Sequence, residues 1–133
     1  MKKLIVVLAL AFPLFANPTL FTKYESVRQS LLKSDLAGAQ KHAAALATDA
    51  KTAKQVTIAE MAQSVAKSRD MAGARRAFGM LSDEMIKVRN NAKGARPAVY
   101  YCSMVKKSWL QPKGQVGNPY DSSMAMCGEL KAE

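Results

Sequence analysis

Histidine is almost missing from this sequence of 133 residues: His42 is the only one. Cysteine is nearly as scarce, with Cys102 and Cys127, and aromatics stop at one Trp, four Tyr and four Phe. Acidic side chains number 10 against 20 Lys and Arg, which leaves a formal charge of +10. Each shortage excludes something. No second His is present for a His-assisted site, and a structural zinc site, which wants four Cys, His or carboxylate ligands, is poorly supplied. The two cysteines do not form a Cys-x-x-Cys redox pair, and no Gly-rich phosphate loop occurs. The few acidic residues are scattered, with Glu60 and Glu84 explained by capping or a solvent face. Catalysis finds no support, and the chain is expected not to be an enzyme. So few aromatics leave a core of Ala, Leu, Val and Met in one small domain, which disfavours a large pocket-bearing fold.

No apolar run is long enough to span a bilayer comfortably. Met1-Lys2-Lys3 is a positive start, Leu4 to Phe15 is apolar except for Pro13, and Ala16 follows. This is the pattern of a secretory signal peptide cleaved after Ala16, with Pro13 suiting a cleavage region better than a membrane anchor. Residues 1–16 are therefore read as a cleaved signal, and 17–133 as a single periplasmic domain with no stable membrane insertion. Export changes the meaning of the basic charge: nucleic acid drops out as a partner, and the bland reading is a solvated basic surface. The clusters Lys87, Arg89, Lys93 and Arg96, then Lys106, Lys107 and Lys113, also suit docking to an acidic envelope protein.

What is present is helical periodicity. Leu20, Tyr24, Val27 and Leu31 recur at steps of four, three and four, which places them on one helical face. Ser34-Asp35 is a plausible N-cap for a second helix with Leu36, Ala39, Ala43, Leu46 and Ala50 inside. Thr57-x-x-Glu60 has the capping-box spacing and announces a short third helix carrying Ile58, Met61 and Val65. Asp70 can cap a fourth, with Met71, Ala74, Phe78, Leu81, Met85 and Val88 alternating three and four. Asn90, Asn91 and Gly94 end that helix, and Pro97 prevents its continuation. Short connections predict a mainly α fold, an antiparallel four-helix up-and-down bundle. Met61, Met71, Met80 and Met85 then read as core gap-fillers rather than ligands.

The tail, residues 97–133, has another texture. Ala98 to Cys102 is a short β-type run, Gln115 to Tyr120 holds Gly117 and Asn118-Pro119, and Met124 to Leu130 suggests a second strand. Too short for its own core, this segment should form a small hairpin-like cap on the helices. Both cysteines lie here. In an exported protein an even cysteine count first suggests a disulfide. The competing observation is the sulfur around them, Cys102-Ser103-Met104 and Met124-Ala125-Met126-Cys127, since thiolate and thioether ligands select Cu(I) or similar soft ions. Strand alternation would put Cys102 with Met104, and Met124 with Met126, on shared faces. His42, at the edge of the second helix's apolar face, reads as a partly exposed polar residue that matters only if the tail folds over it.

The ordered set Tyr101-Cys102-Ser103-Met104, Trp109-Leu110, Asn118-Pro119-Tyr120 and Met124-x-x-Cys127-Gly128-Glu129 resembles the C-terminal signature of a domain of unknown function. That domain occurs in exported bacterial proteins and at the end of periplasmic adaptor subunits of heavy-metal efflux systems. The likeness extends back over Ser34-Asp35 and Phe78-x-x-Leu81-Ser82. Two positions depart from the pattern: Ser103 stands where Pro is common, and Asp121-Ser122 where an aromatic and Gly are common.

The resemblance implies periplasmic binding of copper or a related soft metal in heavy-metal resistance. It places Cys102, Met104, Met124 and Cys127 at the sulfur positions, with Trp109, Asn118, Pro119 and Tyr120 as supports. Met126 and His42 complete the candidate metal residues outside the motif. The expectation is a Cu(I)-binding protein acting in sequestration or hand-over to an efflux adaptor. The alternative is a disulfide-stapled interaction module that docks another envelope protein and has no metal role.

Overall fold

A computed structural model gives the fold and describes residues 18–133. The expected signal peptide, residues 1–16, lies outside the described residues. Four helices come first: α1 (Pro18–Leu32), α2 (Leu36–Thr52), α3 (Val56–Ala66) and α4 (Met71–Asn91). Three strands follow, β1 (Ala98–Cys102), β2 (Lys107–Gln111) and β3 (Glu129–Ala132), with a 3-10 turn at Ser122–Met124 before the last. The fold is mainly α with a small antiparallel sheet of order β2-β1-β3. Among the described residues no helix is long and apolar enough to cross a membrane.

The helices bury the stripes that the spacing marks. Leu20, Tyr24, Val27 and Leu31 are buried on α1, and Ala74, Phe78, Leu81 and Met85 on α4. On α2 the buried face is largely Ala, at 39, 43, 47 and 50, and these small side chains let α1 and α3 approach closely on either side. Each helix packs on the next, and α1 returns to α4 through Tyr24 stacked on Phe78 with ring centroids 4.8 Å apart. Met85 fills core space, and Met61 and Met71 pack partly buried against it. Met80 does not: it falls between the buried positions Phe78 and Leu81, off the stripe, and is 58% exposed.

The junctions use backbone devices that residue type hides. Ser34 and Lys54 both have positive φ, 56° and 58°. Each closes the preceding helix with the same pair of bonds: Asp35 N to Ser30 O at 2.8 Å with Ser34 N to Leu31 O at 3.0 Å, and Gln55 N to Ala50 O at 2.8 Å with Lys54 N to Lys51 O at 3.1 Å. This is the left-handed helix stop usually given to Gly or Asn. After the first stop Asp35 caps α2, accepting from Gly38 N at 2.9 Å. After the second, the expected capping box does not form. The turn at Lys54 delivers the chain into helix already at Val56, so Gln55 occupies the cap position without a side-chain bond and Thr57 lies inside α3. Asp70 caps α4 as its position suggests, accepting from Gly73 N at 2.6 Å.

The sheet departs from expectation in its pairing. β1 pairs with β2 directly after it, with Tyr100 opposite Trp109 and Cys102 opposite Lys107. Lys106, at φ 56°, makes the tight turn between them. The Met124–Leu130 segment is not a strand over most of its length; β3 begins at Glu129 and pairs Tyr101 with Glu129. The sheet joins the helices through buried hydroxyls. Tyr120 OH donates to the Ser108 carbonyl at 2.5 Å and shares a hydrogen bond with Ser82 Oγ at 2.9 Å, while Leu110 N donates to Tyr24 OH at 3.2 Å. Helix and sheet residues thereby share one continuous core.

Candidate functional site

Cys102 is the last residue of the central strand and has no exposed surface. The chain then turns through Ser103–Lys106, closed by Lys106 N donating to Cys102 O at 2.8 Å. A turn of this length projects Met104 outward, and it is 72% exposed. β2 brings Trp109 back beneath β1, fully buried, stacked on Tyr100 at 6.1 Å and edge-on to Tyr120 at 6.0 Å.

Two side-chain clamps shape the irregular segment between β2 and β3. Gln111 is the first. Its Oε1 accepts from Trp109 Nε1 at 2.9 Å and from Gly117 N at 3.0 Å, while its Nε2 donates to Gln115 O at 2.9 Å. Asn118 is the second. Its Nδ2 donates to Met124 O at 3.1 Å, its Oδ1 accepts from Tyr120 N at 2.9 Å, and its backbone N donates to Ala125 O at 2.8 Å. Asp121 caps the 3-10 turn by accepting from Ser123 N at 2.9 Å. The Ser123 hydroxyl and backbone bonds hold the Asp121 carboxyl below its ordinary pKa. Met124 O also accepts from Cys127 N at 2.9 Å. This folding brings Cys127 to a Cα distance of 5.3 Å from Cys102, and the two form a disulfide.

Two long arginines anchor these clamps to the helices. Arg28 on α1 is forked onto Glu25, with Nε to Oε2 at 2.7 Å and Nη2 to Oε1 at 2.5 Å, and its Nη1 donates to Gly117 O at 2.6 Å. Arg75 on α4 donates from Nε to Pro119 O at 3.1 Å and from Nη2 to Leu31 O at 3.1 Å. Sequence reasoning missed both. The available signal for Arg28 was its position four residues after Tyr24, on the buried side of α1, and three after an acidic residue.

The candidate ligands are placed unevenly. Cys102 and Cys127 meet as a bridge, and Met104 and Met126 flank it along the chain on exposed turns, Met126 at 64%. Met124 is half-buried in the 3-10 turn. The strand alternation expected to pair Met124 with Met126 is absent, because the Asn118 and Asp121 bonds wind the segment instead of extending it. His42 is elsewhere: it lines a polar groove of about 310 Å³ between α1 and α2 with Glu25, Gln29, Lys33 and Asp35. Among the described residues no group of three or more His, Cys, Asp or Glu side chains is arranged to hold a metal ion. In the bridged form, the soft donors of the tail are therefore its thioethers and the disulfide itself.

Comparison with protein families finds one whose description is a protein of unknown function, DUF3347, matching residues 20–96. No curated protein matches the chain, and no solved structure does. The matched range runs from the first buried leucine of α1 to the residue before Pro97, so it takes in nearly all of the helical part and stops before β1. The Cys, Met, Trp-Leu and Asn-Pro-Tyr positions of the tail lie outside it. The match spans more than half of the sequence, and the chain belongs to the DUF3347 family of proteins of unknown function.

Proposed function

We propose that this is an exported, periplasmic protein that binds Cu(I) or a similar soft ion through the sulfurs of its tail and passes it to a heavy-metal efflux system. In this reading the helices are an up-and-down bundle that carries the sheet as a sulfur-bearing cap. The observation that supports the reading is the convergence of Cys102 and Cys127, with Met104 and Met126 exposed beside them. The disulfide is the closed form. Two electrons and two protons from a dithiol, itself oxidised to a disulfide, give two free thiols beside thioether donors. Thiols must lose a proton to ligate, whereas thioethers ligate without one, and exchange among sulfurs of both kinds suits hand-over rather than permanent storage. His42 lies on the helical face and is no part of the set.

The test is anaerobic Cu(I) titration of the reduced protein, residues 17–133, against a competing chelator. The reading expects one tight ion per chain, and a fall in affinity of at least about tenfold for Met104→Leu combined with Met126→Leu, as expected for loss of soft donors. Unchanged affinity in that double variant removes the thioethers. No uptake by the reduced protein removes the metal role.

A second reading is supported by the burial of Cys102: the bridge as a permanent staple of a module that docks an acidic envelope partner through its basic surface. Intact mass of protein extracted from the periplasm, with and without alkylation, separates the two. A bridge that persists in every cell state, with no metal uptake after reduction, favours the staple.

A further inference from the structure

The two ends of the disulfide are not equivalent. Cys102 closes the central strand, flanked by β2 and β3, and belongs to the continuous buried core with no exposed surface. Cys127 sits in the turn before β3, partly exposed, directly after the exposed Met126. We infer that Cys127 is the sulfur at which an external thiol opens the bridge, with Cys102 as the leaving sulfur.

The argument is one of approach. Thiol–disulfide exchange needs the attacking sulfur to come in line with the S–S bond, from behind the sulfur it attacks. Cys102 has no exposed surface, belongs to the core and is held in the sheet opposite Lys107, so an external thiol reaches its sulfur only after local opening. Cys127 packs against the edge of that core but keeps exposed surface, and it lies in the segment after the 3-10 turn, tied by the bond from Cys127 N to Met124 O at 2.9 Å. The exposed thioethers of Met104 and Met126 give this end of the molecule an apolar rim, suited to the apolar surround of a reductant's active sulfur.

The steps balance. A thiolate of the reductant bonds to Cys127 Sγ, the Cys102–Cys127 bond breaks, and its electron pair goes to Cys102 Sγ, which takes up a proton inside the fold. A second thiol of the reductant then attacks the mixed disulfide, releasing Cys127 as a thiol and leaving the reductant as a disulfide. Cys127, beside Met126, is then the thiol that meets an incoming ion, and Cys102 closes on it from within. That last consequence rests on the soft-metal reading; the exchange geometry does not.

The experiment uses the bridged protein, residues 17–133, without metal. It is incubated in one arm with reduced glutathione, and in the other with a dithiol oxidoreductase whose resolving cysteine is replaced, so that the mixed disulfide persists. Free thiols are alkylated, and trypsin, cutting at Lys106, Lys107 and Lys113, separates the two cysteines. The expected result is a mixed disulfide on the Cys127 peptide and alkylation on the Cys102 peptide, at a ratio of about ten or more to the reverse, as access to the attacked sulfur dictates. Adduct in one arm alone identifies the source of the thiol, small molecule or protein. Equal labelling of both peptides, preference for Cys102, or no exchange in either arm without denaturant overturns the inference.

A second measurement guards against scrambling. In folded Cys102→Ser the remaining Cys127 thiol should alkylate at least about tenfold faster than the Cys102 thiol in folded Cys127→Ser, and equal rates overturn the inference. Selective exchange with no Cu(I) uptake by the reduced protein leaves the inference standing and removes the metal reading alone.

Discussion

The Tyr24 and Ser82 hydroxyls lie 2.6 Å apart, joining α1 to α4 across 58 residues of chain. The same phenol oxygen accepts from Leu110 N, so one atom ties two helices to strand β2. Replacing Tyr24 with Phe keeps the ring stacked on Phe78 but leaves a buried β2 amide without its partner. The expected cost is about 1–3 kcal/mol, the penalty for an unsatisfied buried donor, measurable by urea unfolding. Ser82→Ala removes a partner from both Tyr24 and Tyr120. Because the two substitutions act on one network, the double variant should cost less than the separate effects combined.

This network also sets the response to alkali. Burial is the main cause that raises the pKa of Tyr24 and of Tyr120 above the ordinary phenol value, against smaller opposing contributions from the Ser82 hydrogen bonds. A raised folded pKa means that the unfolded chain loses these protons first. Their contribution is fully present below the unfolded pKa of about 10 and drains away as pH climbs from there toward the folded value, by up to about 1.4 kcal/mol per pH unit for each tyrosine. Unfolding free energy measured between pH 8 and 12 should be flat with respect to these groups at first and then decline. Tyr24→Phe should make the decline visibly shallower; an unchanged slope would show that Tyr24 does not carry it.

Much of the helical part was legible because its physics is periodic. Burial at Leu20, Tyr24, Val27 and Leu31 follows from steps of three and four, and Asp35 and Asp70 cap because a short side-chain oxygen reaches the third amide on. The helix stops were less legible, since Ser34 and Lys54 take a backbone conformation that their residue type disfavours. The tail was legible in which residues matter more than in how they fold. Asn118 and Asp121 act through bonds to backbone atoms several residues away, which alternation and propensity do not register, so a wound segment looked like a strand. The cysteine pair was one of two open readings, because pairing depends on the turn that Asn118 builds and not on spacing alone.

Arg28 and Gly117 form a second long-range pair, and it is tight. A Cβ at Gly117 would lie 2.8 Å from Arg28 Nη1 and 2.9 Å from Leu32 Cδ2. Gly117→Ala should therefore push the guanidinium off the Gly117 carbonyl. Arg28→Ala should loosen the same loop by removing the donor and leaving Glu25 without its forked partner, at a cost of about 2–4 kcal/mol for a mostly buried charge pair. Hydrogen exchange in residues 112–118 is the direct readout, and both variants should raise it with little change in α3.

Reduction of the bridge should destabilise without unfolding. Cys102 and Cys127 enclose a sequence separation of 25, for which loop-closure entropy gives about 3.5 kcal/mol. Thermal melts with and without reductant should differ by on the order of 10–20 °C for a domain of this size. The helical circular-dichroism signal before the transition should be the same in both, because each helix packs on the next and the bridge joins two segments of the tail. Loss of helix on reduction would mean that the tail is needed to assemble the core, and a reduced protein would then be too disordered for the proposed hand-over.

Gly128 decides how closely Cys127 can sit on the sheet. A Cβ there would stand 2.7 Å from Trp109 Cη2 and 2.8 Å from Val116 Cγ1. Trp109 cannot yield, since it is fully buried between Tyr100 and Tyr120 and its Nε1 is fixed by Gln111. In Gly128→Ala the strain must therefore fall on the segment carrying Met126 and Cys127, which moves outward from Trp109. Overpacking of this kind costs about 1–3 kcal/mol. Two readouts separate local from global damage. Trp109, the single Trp of the chain, should change its fluorescence in the folded state. The bridge, now displaced on its Cys127 side, should be reduced faster by glutathione at a concentration that leaves the parent protein largely bridged. A variant with lowered stability but parental fluorescence and reduction rate would show that the backbone accommodates the methyl elsewhere, and that Gly128 does not set the position of Cys127.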